Sequence, residues 1–426
     1  MQSTGAVPAF DLRISITGTE PEIWRRLQVP SALTVPQFHL AVQVAFGWED
    51  RHLYGIRYMS GKGEPRTLTG LPDPETEDYE AEPASVVVLS DLLDPSKPQR
   101  SAFDYEYDFG DGWVHHVEVL GAIGLGPGDL ICTGGANRGP VEDSGGAGGY
   151  RRLVQILADK THPEHGDASS WLYQLTGDFD SQFDASAFDL RSTNRKLRIL
   201  SLQWWPRPLT EEERDAVLRP VRWLLEQASP DGVQLTKDGY LKPDLVRRTV
   251  EELGWSDSVV GKANREVNVW PVMELRQHLI NWKLLRNLKG RLVLTPRGRR
   301  ALERPDDLWD YAVDAIARPK HDAVYLVTRL YSHWHLSGIA PPWNRKVEVA
   351  RAALEDAGFV TRSGEPIPEE WAREINQVVR GALGCLHLLE PQRIGWRRTL
   401  LTDGGVKFFL EVREVGRLAS RGKVSY

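Results

Sequence analysis

The stretch Phe103 to Glu118, Phe-Asp-Tyr-Glu-Tyr-Asp-Phe-Gly-Asp-Gly-Trp-Val-His-His-Val-Glu, constrains this chain more than any other. Aromatic and acidic residues alternate up to Phe109. Phe103, Tyr105, Tyr107 and Phe109 therefore share one face of a strand, and Asp104, Glu106 and Asp108 the other. Gly110, Asp111 and Gly112 tolerate the positive φ of a tight reversal. Trp113 to Leu120 supplies a return strand, so the segment reads as a β-hairpin with an aromatic face in the core.

The chemistry depends on what the return strand sets against the acids. A two-residue loop brings His115 onto the acidic face; a three-residue loop with a bulge brings His116 and Glu118 there, because side chains change face with every residue. Imidazole beside carboxylate makes an acid/base pair or a metal site. A purely structural strand, its acids solvated or paired with arginines such as Arg13, Arg25 and Arg26, gives the same pattern. Further on, the glycine-rich segment Gly121 to Gly149 contains Glu142 and Asp143. It is read either as a loop presenting them beside the hairpin or as a docked Ω-like loop. It lacks the Gly-Lys-Ser/Thr ending of a phosphate loop. The candidate catalytic set is thus Asp108, Asp111, His115, His116, Glu118, Glu142 and Asp143; it fixes no cofactor, and a divalent metal belongs to its metal-site reading alone.

A chain of 426 residues exceeds one ordinary core, so two or three domains are expected. Cys132 and Cys385 are the only cysteines, far apart and without CxxC spacing, which excludes a disulfide framework or a zinc–thiolate site. The first residues lack a basic segment followed by an apolar core, and no apolar run reaches spanning length; a cytoplasmic protein with no membrane association is expected. A net charge of −6 gives no overall attraction to nucleic acid, although a mean hides local patches.

Strands are predicted over residues 9–17, Ile23 to Val29, around Tyr54 to Tyr58, and over Val86 to Leu89 before a helical turn. A helix capped by Thr34, with Pro36 in its first turn, runs to Phe46 and ends at Gly47. Residues 60–85 read as a surface loop. Arg152 to Asp159 and the region from Phe188 to Leu197 read as helices. Between them, His162 and His165 are assigned to the surface, ahead of Trp171, Asp178 and Asp180.

Several blocks occur in an order that resembles the Ri-plasmid ORF-three-like family, also labelled TnpR-type transposon-passenger proteins. They are Ile23-Trp24-Arg25-Arg26; His39 with Gln43 through Phe46-Gly47-Trp48 and His52-Leu53; Tyr105 to Trp113 with His115 or His116; Pro140 through Glu142-Asp143-Ser144-Gly145-Gly146 to Gly149-Tyr150; and Phe183-Asp184 with Asn194. The resemblance covers roughly residues 9–197. The family usually shows two prolines before its Glu-Asp-x-Gly-Gly, where this chain has Pro140-Val141. The resemblance implies a compact α+β domain and no particular reaction. The resolvase-like label would imply a serine nucleophile supported by arginines, an arrangement this half does not offer.

From about residue 198 the composition changes. Trp204-Trp205-Pro206-Arg207-Pro208 reads as a linker into a helix capped by Thr210 with an acidic first turn. The phrase Arg291 to Leu302 then aligns with Arg398 to Phe409, sharing Arg, Leu, Thr and Gly in register. Each copy follows an amphipathic helix and resembles the end of a winged-helix domain. Lys283 to Arg304 carries eight Lys/Arg against one acid, Glu303. Lys289, Arg291, Arg297, Arg299 and Arg300 are the candidate nucleic-acid contacts, a solvated helix in a protein-docking module being the other reading.

The fold expected is an α+β N-terminal domain with an antiparallel sheet and β-hairpin (9–197), a linker (198–209) and two mainly α winged-helix-like domains (210–304 and 305–426). The leading functional expectation is a mobile-element-associated accessory or regulatory protein binding DNA or a protein partner. The alternative is a metal-dependent hydrolase built on the hairpin and the glycine-rich segment.

Overall fold

Alternating apolar side chains build one sheet from the first third of the chain. In the computed structural model, which describes residues 5–69, 82–83, 86–176, 183–256, 265–338, 341, 343–390 and 400–421, the chain divides into two units, Met1–Trp205 and Pro206–Tyr426. The division falls within the stretch read as linker, whose first part is helical up to Trp204.

The first unit contains strands β1 (Val7–Ile16), β2 (Trp24–Pro30), β3 (Tyr54–Met59), β4 (Pro65–Thr69), β5 (Glu82–Pro83), β6 (Ala102–Tyr107), β7 (Trp113–Leu125) and β8 (Ile131–Ala136). They form one sheet in the order β5-β4-β3-β6-β7-β1-β2-β8. Seven of the strands pair antiparallel; only the two-residue β5 lies parallel to its neighbour. Leu12, Ile14, Ile16, Leu27, Tyr105, Tyr107, Trp113 and Val117 are buried in one core with Phe38, Ala41 and Val42. Those last three lie on α1 (Val35–Phe46). Thr34 caps α1 in a reciprocal capping box with Gln37, and Gly47 ends it at a φ of 85° that glycine adopts without strain. Among the described residues the unit has four further α-helices: α2 (Leu89–Leu92), α3 (Gly146–Ala158), α4 (His165–Thr176) and α5 (Leu190–Trp204).

Four sequence expectations change. Residues 60–85 are not all loop, because Pro65–Thr69 pairs with β3 as a strand. The strand expected over Val86 to Leu89 is a single bridge between Val88 and Thr34. Much of the glycine-rich segment is regular: β7 runs on to Leu125, β8 follows, and α3 begins at Gly146. Glycine lowers strand propensity, but β2 offers an edge to which β8 adds, and the tertiary ladder prevails. Phe109 does not extend the aromatic face, since β6 ends at Tyr107 and Phe109 is exposed in the turn. Asp178 and Asp180 lie outside the described residues.

The second unit is mainly helical: α6 (Glu211–Gln227), α7 (Pro243–Glu252), α8 (Trp270–Asn281), α9 (Pro296–Glu303), α10 (Pro305–Ala317), α11 (Asp322–Ser337), α12 (Trp343–Asp356), α13 (Glu369–Gly384) and α14 (Asp403–Arg421). Its small sheet joins β9 (Val233–Gln234), β10 (Leu285–Leu288) and β11 (Arg291–Leu294) in the order β10-β11-β9. The repeated phrase makes the same turn twice. Thr295 accepts the Gly298 N–H at 3.0 Å, and its own N–H donates to the Leu284 carbonyl at 3.0 Å. Thr402 does likewise with Gly405 and Leu388, at 2.9 Å and 2.9 Å. A Cβ at Gly298 or Gly405 would lie 2.1 Å from that carbonyl oxygen, so both copies need glycine where helix meets preceding chain. Arg398, the first residue of the second copy, is outside the described residues.

No helix among the described residues is long and apolar enough to cross a membrane.

Candidate functional site

The hairpin turn sets the geometry. Tyr107 pairs with Trp113, which leaves Asp108 to Gly112 as a five-residue loop. An odd loop sets even positions against even and odd against odd, as the three-residue alternative would. Asp108 opens the reversal at a φ of 56°, and Gly112, at 67°, returns its N–H to the Asp108 carbonyl. One carboxylate oxygen of Asp108 accepts the N–H groups of Gly110 and Asp111, at 3.0 and 3.3 Å. Aspartate suits this place because its side chain satisfies the turn's own amides and tolerates the left-handed region.

Register then sorts the candidates. His115 pairs with Tyr105 and is wholly buried among Tyr105, Phe46 and Trp48, its Nδ1 donating to the Trp113 carbonyl at 3.0 Å. Burial pushes its pKa down to about 4. His116 pairs with Asp104 on the open face and donates to it at 2.9 Å. Glu118 is exposed, opposite Ala102 and Arg13. These three, all on β7, do not join the other candidates.

Asp108, Glu142 and Asp143 converge on His52, which sequence reasoning quoted for the resemblance but did not place in the candidate set. Its Nε2 lies 2.9 Å from Asp143 Oδ1, 3.5 Å from Asp108 Oδ2 and 3.9 Å from Glu142 Oε2. One ligand-type atom from each of His52, Asp108 and Asp143 falls within 4.8 Å of the others. The only sequence signal was the charged run Glu49-Asp50-Arg51-His52 between the end of α1 and β3.

Asp111 has a different role. Its carboxylate accepts the Gly145 N–H at 2.9 Å, clasping the segment that carries Glu142 and Asp143 to the hairpin tip. Gly146 follows with a φ of 68°, and a Cβ there would lie 2.5 Å from the Asp111 carbonyl oxygen. The close approach thus requires glycine. Of the two readings of this segment, both describe it: it is docked, and it presents its acids.

Glu142 is buried, as is Asp108. It accepts the Glu49 N–H at 2.7 Å and the Tyr107 hydroxyl at 3.0 Å, and burial raises its pKa above the ordinary carboxyl value. The Tyr107 oxygen in turn accepts the Arg51 N–H at 2.9 Å. Arg51 also stands 3.7 Å from Asp143. Asp143, like Asp108, holds a left-handed backbone, with φ 58°.

A second network holds the same loop from behind. His39 Nε2 donates to Asp50 at 2.8 Å, which leaves Nδ1 to accept the Tyr105 hydroxyl at 2.7 Å. Gln43 donates to that hydroxyl at 3.1 Å and accepts the Asp50 N–H at 2.8 Å. Residues 48–52 are therefore fixed on both sides.

In the second unit, the candidate cations are partly engaged. Arg291 donates to the carbonyls of Asp231 and Gly232, at 2.9 and 2.7 Å. Arg297 lies over the Tyr311 ring and donates to its hydroxyl at 3.1 Å, and Arg300 pairs with Asp307 at 2.9 Å. Lys289 sits in the β10–β11 turn with φ 48°, and Arg299 is exposed on α9.

With this geometry in place, comparison with known proteins locates the chain. The profile of the plasmid pRiA4b ORF-3-like protein matches residues 8–192. The uncharacterized protein y4hQ of Sinorhizobium fredii is 32% identical over 197 residues, which are 45% of this chain and 92% of that protein. The chain belongs to the plasmid pRiA4b ORF-3-like family. A crystal structure of a protein of unknown function, MM3350 from Methanosarcina mazei, shares 33% identity over 43% of this chain and 96% of its own, with a TM-score of 0.36. The Y4jL N-terminal domain profile matches residues 214–307, within the second unit.

Many polar residues that carry the family resemblance clasp backbone. Arg25, buried and stacked between Phe46 and Phe188, donates to the carbonyls of Trp24, Ala45, Ala136 and Asn137. Asn194 accepts the Cys132 N–H and donates to the Cys132 carbonyl, both at 2.8 Å. Among the residues bearing the resemblance, His52, Asp108, Glu142 and Asp143 face one another instead.

The buried His115 generates a pH dependence. Its pKa of about 4 when folded, against 6.5 unfolded, means the unfolded chain binds more protons between those values. The stabilisation is complete above about pH 6.5 and is lost as pH falls through about 4, a difference of about 3 kcal/mol. The loss in unfolding free energy between pH 7 and pH 4, measured by chemical denaturation, is expected to be smaller by about 3 kcal/mol in His115→Phe than in the parent. An unchanged pH dependence would contradict the burial of a neutral imidazole.

Proposed function

We propose that the first unit holds a divalent-metal centre for hydrolysis, with His52, Asp108 and Asp143 as ligands and Glu142 as the acid/base carboxyl beside them. The observation that carries this reading is the convergence of one nitrogen and two carboxylate oxygens within 4.8 Å. The donor set fits zinc, manganese or iron, which accept imidazole with carboxylate. Asp108 supports it further: one oxygen is tied to the turn amides while the other faces His52, the kind of outer bonding that orients a ligand. When bound, the ion would polarise a scissile bond and lower the pKa of bound water. Glu142, its pKa raised by burial against the lowering effect of the Glu49 and Tyr107 hydrogen bonds, stands 3.9 Å from His52 Nε2 and would serve there as the acid/base carboxyl.

Metal analysis of untagged protein, equilibrated with zinc or manganese and desalted, is expected to find about one ion per chain. His52→Gln and Asp108→Asn are expected to weaken retention by about tenfold or more, and His116→Gln to leave it unchanged. Asparagine keeps the left-handed turn, so a folded Asp108→Asn that retains metal like the parent would dismiss the reading, as would a metal-free parent.

A second reading concerns the second unit, as a module that binds DNA or a protein partner in a mobile-element-associated accessory or regulatory role. The observation favouring it is topology: helix α6, strand β9, helices α7 and α8, then the β10–β11 hairpin with β9 paired to β11, which is the order of a winged helix. The repeat of the Thr-x-x-Gly turn supports a second such module ending in α14. The family's name, that of a plasmid reading frame, supports the mobile-element association. With Arg291, Arg297 and Arg300 engaged within the unit, DNA contact falls to Lys289 and Arg299. Gel shifts with duplex DNA are expected to weaken in Lys289→Gln/Arg299→Gln, with a salt slope smaller by about one per lost phosphate contact. Identical binding by this variant would remove DNA from the reading and leave the protein partner.

A further inference from the structure

Three helices of the second unit bring together two cations that no carboxylate among the described residues pairs with. Lys346, on α12, places its Nζ 5.2 Å from the ring centre of Tyr331 and 5.8 Å from that of Trp334, both on α11. Arg380, on α13, lies 4.7 Å over the ring of Trp343. The Tyr331 hydroxyl is buried with no hydrogen-bond partner, its ring only 3% exposed. His335, one turn along α11, is stacked on Phe409 and contributes no charge, its pKa pushed down to about 4 by burial and by Lys346.

Acids at i±3 or i±4 would ordinarily neutralise such cations. Neither has one: Lys346 is followed at those positions by Val349 and Ala350, and Arg380 is flanked by Asn376, Gln377, Leu383 and Gly384. Nearby arginines on the same helices are paired, Arg345 with Glu348, Arg351 with Glu355 and Arg373 with Glu369. Among the described residues no carboxylate pairs with Lys346 or Arg380. Burial lowers the Lys346 pKa, and Arg380 lowers it further, so the two charges feel each other. The Tyr331 hydroxyl feels Arg380 as well. Holding an ammonium partly out of water beside a guanidinium costs free energy that ring contacts only partly offset. An anion between them reverses the sign of that cost.

From this juxtaposition we infer that Lys346, Arg380 and the Tyr331 hydroxyl form a binding site for a phosphate-type oxyanion. Two positive charges match a phosphate dianion. The planar guanidinium offers paired donors to two oxygens, the ammonium a point charge, and the phenol a neutral donor that has no other use. Arg380 is exposed and Lys346 half-buried, so the site opens to solvent on the arginine side. The inference is independent of the metal reading, which concerns the other unit.

The test uses the metal-free full chain and inorganic phosphate, followed by calorimetry. Saturable binding of about one phosphate per chain is expected, weakened about tenfold or more in Arg380→Gln and in Lys346→Met. Arg152→Gln, in the other unit and paired with Glu164, is expected to bind like the parent. Arg380 is on the surface, so its variant folds even where Lys346→Met does not. Competition separates two sources of the same chemistry: displacement by a mononucleotide alone assigns the site to a free phosphate ester, and displacement by duplex DNA assigns it to a nucleic-acid backbone. Absence of saturable binding in the parent, or equal affinity in folded Arg380→Gln, would overturn the inference.

Discussion

One odd-numbered turn governs the first unit. Because five residues separate Tyr107 from Trp113, the aromatic residues of β6 meet Trp113, His115 and Val117 in the core, and Asp104 meets His116 on the open face. An even loop would have driven His115 outward and Val114 and His116 into the core. The same turn holds Asp108 in a left-handed conformation with its carboxylate folded over its own amides, and Asp111 clasps the segment bearing Glu142 and Asp143. Register, core and site are thus fixed by one piece of backbone.

The site is held by polar groups that serve two purposes. Glu142 receives the Glu49 amide and the Tyr107 hydroxyl, so it ties the loop after α1 to the sheet while facing His52. The His39–Tyr105–Gln43–Asp50 network braces the other side of that loop. Such cross-bonding fixes His52 and its carboxylates before any ligand arrives, and buried networks of this kind are stiff because each member would lose its partners on moving. The position of His52 therefore depends on residues far from it in sequence.

Much of the fold was legible because it rests on local rules. Alternation located β1, β2, β3 and β6; Thr34, Pro36 and Gly47 delimited α1; the Thr-x-x-Gly phrase announced a turn that occurs twice. What was not legible depended on partners distant in the chain. Glycines in β8 obscured a strand that exists because β2 needed a neighbour. Hairpin register turned on the loop count, which Gly110-Asp111-Gly112 left open between two and three residues, whereas Asp108 to Gly112 make five. Asp108, Glu142 and Asp143 were anticipated as neighbours, whereas His115, His116 and Glu118 were separated from them by register. His52 could be placed only once three loops were seen to meet.

The account stands or falls on whether His52, Asp108 and Asp143 act as one cation-binding group. Anomalous diffraction from a crystal soaked in zinc measures this directly. The prediction is a single peak bonded to His52 Nε2 and to oxygens of Asp108 and Asp143 at about 2.0–2.2 Å. A fully ordered site in which His52 still donates to Asp143 and no peak lies between them would contradict it.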